Sequence, residues 1–171
     1  AALLNGIARS AMQLGDFDKA LRYAVDASEI LERLSGPTSL DVLGTLLTQL
    51  EALDYLKNDT HDLMRRIDEL IQPLADAHPL RLRASLSLLR IRYLQSPRNQ
   101  NLAGEFEALI DRAAASAPSL KPAAIRSYFD LAASATDKAK AAAQILKALA
   151  LMRPANVKSL DQLQAERWQQ W

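Results

Sequence analysis

The chain has 171 residues, 49% of them apolar but only 5% aromatic, and its 21 Lys and Arg nearly cancel its 20 Asp and Glu. That length and apolar content can bury a substantial core, which excludes a disordered tail, and the dominance of Ala and Leu over aromatics argues against a β-rich fold. The charge balance supplies no overall field toward nucleic acid or an anionic membrane, no run reaches the ~18 apolar residues of a membrane helix, and zero cysteines exclude disulfides, thiolate nucleophiles and Cys-based metal sites.

Taken in order, the first predicted helix runs from Leu3 to Leu14 and stops at Gly15. Asp16 caps a second, Phe17 to Leu34, closed by Ser35, Gly36 and Pro37. Thr38 with Asp41 resembles a capping box for a third, which carries Leu43, Leu47 and Leu50 and ends near Lys57. Asp59 or Thr60 caps a fourth running to about Ala77, with Pro73 either kinking it or ending it early near Gln72. Pro79 opens a fifth, Leu80 to about Gln95. A sixth spans Leu102 to about Ala115, a seventh Lys121 to Ala133, and an eighth is capped by Thr136 or Asp137 and ends at Met152. A last segment, Val157 to Trp171, places Leu160, Leu163, Trp168 and Trp171 at helical spacing.

One apolar pattern recurs in every second helix. It reads Ala20, Leu21, Ala24, Ala27, Ser28, Leu31; then Leu63, Met64, Ile67, Leu70, Ile71, Leu74; then Leu102, Ala103, Phe106, Leu109, Ile110, Ala113; then Ala141, Ala142, Ile145, Ala148, Leu149, Met152. Each set falls within an arc of about 120° on a helix, so each predicts a buried stripe. The successive intervals between Ala20, Leu63, Leu102 and Ala141 are 43, 39 and 39 residues, the range of a helical solenoid. Only Ser28 interrupts the apolar rule. The fifth helix carries two apolar strips, Leu82, Leu86, Leu89, Tyr93 and Leu80, Ala84, Leu88, Ile91, with Arg83 and Arg90 in one seam between them and Arg81 and Arg92 in the other. Two strips predict neighbours on both sides, as for an interior helix of a stack.

The run LGDFDKALRYAVDASEIL from Leu14 to Leu31 resembles the tetratricopeptide repeat, with Gly15 and Phe17 at its turn and Ala8, Ala20 and Ala27 at its small positions. The continuation ERLSGPTSLDVL resembles the long repeats of kinesin light chains. The later units lack the Gly-aromatic turn, so a HEAT-like or irregular array of helical pairs stands beside this reading. The resemblance implies one all-α domain, a right-handed α-solenoid of about four antiparallel hairpins at 1–36, 37–78, 79–117 and 118–154, with a capping helix at 155–171. The leading Ala1 suggests a processed or excised chain, part of a longer protein.

In that family, exposed positions of each pair's first helix line a concave groove. Carried onto this sequence they are Asn5, Arg9 and Gln13, then Thr45 and Thr48, then Arg83, Ser87 and Arg90, then Arg126. Four arginines on one surface fit an acidic peptide or protein segment or a C-terminal carboxylate, because guanidinium pairs bidentately with carboxylate. Asn5 and Arg9 partly echo the carboxylate clamp of the chaperone-type members. Alternatively, the arginines form a solvated face paired with Asp and Glu of adjacent helices. Trp168 and Trp171 likewise fit a cap over the last hairpin, packing on further repeats, or an aromatic hot spot.

His61 and His78 belong to no recognised site, and no phosphate loop, nucleophile elbow, HExxH or EF-hand loop occurs. Carboxylate pairs such as Glu51 and Asp54, or Glu107 and Asp111, suit solvation or ion pairing. The expectation is a non-catalytic cytoplasmic scaffold that binds protein, without cofactor or metal and without nucleic acid. The alternative is a regulatory or sensor segment of a multidomain bacterial signalling protein or transcription activator.

Overall fold

The computed structural model describes residues 1–152, which form eight α-helices and no strand. They are α1 Ala2–Leu14, α2 Phe17–Ser35, α3 Leu43–Tyr55, α4 His61–Ile71, α5 Pro79–Gln95, α6 Gln100–Ser116, α7 Lys121–Ser134 and α8 Lys138–Met152. None is long and apolar enough to cross a membrane. The expected cap at 155–171, with Trp168 and Trp171, lies outside the described residues.

Local chemistry accounts for the breaks. Gly15 ends α1 in the left-handed region at φ 78°, and the Asp16 carboxylate accepts the Lys19 N–H at 3.2 Å to start α2. The entry to α3 departs from the expected Thr38 box. Ser39 is the cap, its hydroxyl accepting the Asp41 N–H at 3.2 Å, and one turn of 3₁₀-helix at Leu40–Val42 precedes the α-helix. Pro73 takes the early of its two options, with α4 ending at Ile71. His78 caps α5, its Nδ1 accepting the Leu80 N–H at 3.2 Å.

Each helix packs on its chain neighbours, and the first helices of successive pairs also touch, α1 on α3, α3 on α5 and α5 on α7. This packing is consistent with a stack of antiparallel hairpins. In the first pair, Ala8, Ala20 and Ala27 have no exposed surface, and Ala11, Ala20 and Ala52 meet where α1, α2 and α3 converge. Small side chains there bring the helix axes close. Phe17 stacks on Tyr55 beside this contact with ring centroids 4.4 Å apart.

Two larger cores lie on either side of α5. Ala84, Leu88 and Ile91 join Leu43, Leu46, Leu47 and Leu50 of α3 and Met64, Ile67 and Ile71 of α4. Leu82, Leu86 and Tyr93 join Phe106 and Ile110 of α6 and Ala124 and Tyr128 of α7. The two strips of α5 therefore have separate partners, as expected of an interior helix, although Leu80 at the end of one strip is exposed.

Ser28 is a polar fastener. It is buried, its hydroxyl donates to the Val25 carbonyl at 2.8 Å, and it accepts from Gln49 Nε2 at 2.8 Å. The same Gln49 amide donates to the Ala24 carbonyl at 3.1 Å, so one side chain from α3 fixes its register on α2.

The fourth stripe differs from expectation. Ala148 is buried, but Ala142, Ile145, Leu149 and Met152 are exposed. The first three stripes are covered because a later first helix closes over each second helix. Among the described residues nothing follows α8 to do so.

Candidate partner-binding surface

The nine residues expected to line a groove divide by environment. Arg9 and Gln13 on α1 are exposed, while Asn5 of α1 and Arg83 and Ser87 of α5 are half-buried. Among the described residues neither Arg9 nor Arg83 has a carboxylate within ion-pairing distance.

Three of the nine are corrected by their burial. Thr45 is fully buried and donates its hydroxyl to the Val42 carbonyl at 2.6 Å, three residues back in the 3₁₀ turn that leads into α3. Thr48, also buried, donates to the Gly44 carbonyl at 3.1 Å and lies 3.4 Å from the Asn5 Oδ1, which it contacts across the α1–α3 junction. Arg90 is 8% exposed and tied on both sides. Its Nε donates to Asp130 of α7 at 2.5 Å, and its Nη1 lies 3.6 Å from Asp54 of α3. Burial opposes the charge of this guanidinium, but the bond to Asp130 and the charges of Asp130, Tyr55 and Asp54 prevail and hold its pKa above the ordinary value. Arg90 thus joins three consecutive first helices and is not free to meet a ligand.

Arg126 is exposed yet engaged, its Nη1 donating to Glu51 of α3 at 3.1 Å. This pair bridges α3 and α7. Of the remaining candidates, Arg9 and Gln13 are exposed and Arg83 is half-buried. Glu51 and Asp54 fulfil the ion-pairing reading of that carboxylate pair. Asp130 carried no signal of its own in the sequence, and only its position one turn beyond Arg126 places it beside the α5 seam.

The second seam of α5 is also neutralised. Arg92 pairs with Asp68 of α4 at 2.7 Å, and Arg81 pairs with Asp76 at 3.1 Å and donates to the Leu74 carbonyl. These arginines edge a groove of about 610 Å³ between α4 and α5, floored by Met64 and Ile71. With each cation matched by an acid, the groove offers no net attraction to an anion.

A third polar group locks the last two hairpins. Lys147 of α8 lies 2.8 Å from Glu107 and 3.1 Å from Asp111, both on α6, and 5.5 Å from the centre of the Tyr128 ring. Tyr128 donates its hydroxyl to Asp111. Bonds from Lys147 and Gln144 hold the Glu107 carboxyl below its usual pKa, and the bond to Glu107 raises that of Lys147. Burial, then the bond to Asp111, pushes the Tyr128 hydroxyl up, so it stays a donor at every ordinary pH.

His61 is exposed at the start of α4, and no cluster of three His, Asp or Glu among the described residues could hold a metal ion. Comparison of the chain with protein-family models, curated proteins and solved structures returns no match.

Proposed function

We propose that the chain is a cytoplasmic, non-catalytic protein-interaction scaffold, a right-handed tetratricopeptide-like stack that receives an acidic protein segment on its first-helix face. The observation that supports this is the contrast among its arginines. Arg90 and Arg126 are held by Asp54, Asp130 and Glu51, whereas Arg9 and Arg83 on the same face have no carboxylate in reach among the described residues. Unmatched guanidinium groups beside amide side chains such as Asn5 and Gln13 form a donor-rich strip suited to carboxylates. The non-catalytic reading rests on the separation of the two histidines. His61 stands at a helix start and His78 is occupied as a cap, so neither is placed beside a nucleophile.

The test is a titration with a fluorescently labelled Glu-rich peptide at low and physiological salt. Wild-type protein should bind and weaken as salt rises, and the Arg9→Glu/Arg83→Glu variant should lose binding while its thermal unfolding is unchanged. Equal binding by both would sink the proposal. Arg90 is unsuitable for this test because its substitution breaks part-buried ion pairs to α3 and α7.

A further inference from the structure

The first hairpin is apolar on the side turned away from the second unit. Around the helical wheel, Leu3, Ile7 and Leu14 of α1 share an arc of about 40°, opposite to Asn5, which meets Thr48 and Gly44 of α3. Tyr23, Ile30 and Leu34 of α2 share a second arc of about 40°, a third of a turn from Ala24 and Ser28, which Gln49 of α3 holds. Both arcs flank the contact through Ala8, Ala20 and Ala27 that joins the two helices, so they form one face. Leu3, Leu14 and Leu34 are 77%, 85% and 76% exposed, the three most exposed large apolar side chains among the described residues. α1 carries a single charged residue, Arg9, and that points elsewhere. A helix face in water ordinarily carries charge.

Inside the chain, a strip of this kind is covered by a hairpin. Ala84, Leu88 and Ile91 of α5 are buried against α3 and α4. We propose that the occupant of the α1–α2 face is the same face of a second copy of this chain, in two-fold contact with α2 antiparallel to its counterpart. The charges on its rim favour this occupant. Asp26 and Arg33 stand one heptad apart on α2 beside Tyr23 and Ile30, and neither has an ion pair among the described residues. Arg33 engages only its Nε, on the Glu29 carbonyl. A two-fold axis passing near Ile30 sets Asp26 of each copy against Arg33 of the other, so the rim is complementary to itself. Size agrees with a modest dimer. Helices of 13 and 19 residues side by side present about 500 Å², and two such faces bury about 1,000 Å², the lower end for a specific interface.

Analytical ultracentrifugation of the full 171-residue protein should show the mass pass from one chain to two as concentration rises. Leu3→Glu/Leu34→Glu, at positions exposed in the single chain, should stay monomeric with unchanged circular dichroism and thermal unfolding, while Leu146→Glu on α8 should dimerise as the wild type does. Asp26→Arg should weaken the dimer about tenfold, because the two-fold repeats the change, and Asp26→Arg/Arg33→Asp should restore it. The chain has no cysteine, so Ile30→Cys can form a disulfide only between copies, and under oxidation it should. A wild-type chain that stays monomeric would overturn the proposal and leave the face to a different protein. A dimer that survives Leu3→Glu/Leu34→Glu, that falls to Leu146→Glu instead, or that grows beyond two copies would overturn it as well.

Discussion

At the residue scale, Arg90 shows how a seam position differs from a surface position. Helical periodicity assigns each residue an angle, and Arg83 and Arg90 share one, so both read as groove candidates. The angle does not say whether a neighbouring helix stands over it. At Arg83 no acid among the described residues is in reach of the guanidinium, but two turns further along α5 the helices α3 and α7 present Asp54 and Asp130 to Arg90. Thr48 follows the same logic, since the α1–α3 contact covers it, and Thr45 is buried outright; Gly44, where an added Cβ would come 3.6 Å from the Asn5 amide, lies at the α1–α3 approach. Removing Arg90 leaves the part-buried Asp130 without its cation and Asp54 with only the exposed Lys57, 4.0 Å away. Arg90→Met should therefore destabilise the fold by about 3 kcal/mol, the lower end of the range for breaking a buried pair, since Asp54 and Asp130 keep some access to water. Arg90→Lys, which retains the charge but not the fork, should recover part of that loss. Urea unfolding of both variants measures the difference, and equal stability of Arg90→Met and wild type would reduce the triad to a surface feature.

At the scale of elements, the helices were legible because each carries its own punctuation. Gly15, Asp16, Asp59, Pro79 and Asp137 all mark boundaries to within a residue or two, through local chemistry that needs no tertiary partner. The misread points are those where two local rules compete or where packing decides. Thr38 and Ser39 are both competent caps, and the 3₁₀ turn selects Ser39. Pro73 allows a kink or a stop, and α4 stops. The stripe of α8 satisfies the helical pattern as well as that of α6 does, but exposure depends on what lies opposite, which no stripe records about itself. The lock between α6 and α8 makes such a pairing measurable. Glu107 has a folded pKa below its ordinary 4.5, so its contribution to stability is present above that value and is lost as pH falls through the folded pKa. Lys147, raised above 10.5, contributes fully below that value and loses its contribution only as pH rises through its folded pKa. Lys147→Met should consequently flatten the acid limb of stability below pH 4.5 and lower the plateau near neutrality. Chemical unfolding followed across pH checks both features, and an unchanged acid limb would assign it to other carboxylates.

At the scale of the molecule, the distinction that matters is between a stack and a single closed core, and α5 is where the two diverge. In a stack, an interior helix serves two cores that communicate only through it, so damage on one of its faces is felt mainly by the neighbours on that side. In a closed bundle, one cooperative core would spread the damage evenly. Leu88 and Leu86 are almost fully buried, two residues apart on the same helix and of identical chemistry, yet Leu88 packs with α3 and α4 and Leu86 with α6 and α7. Truncating either to alanine should cost about 2–5 kcal/mol by leaving a cavity. Their consequences should separate in native-state hydrogen exchange. Leu88→Ala should lower amide protection chiefly in α3 and α4, and Leu86→Ala chiefly in α6 and α7, with α5 weakened in both. Uniform loss of protection in both variants would mean that the two cores unfold as one, and a linear array of semi-independent hairpins would no longer describe this chain.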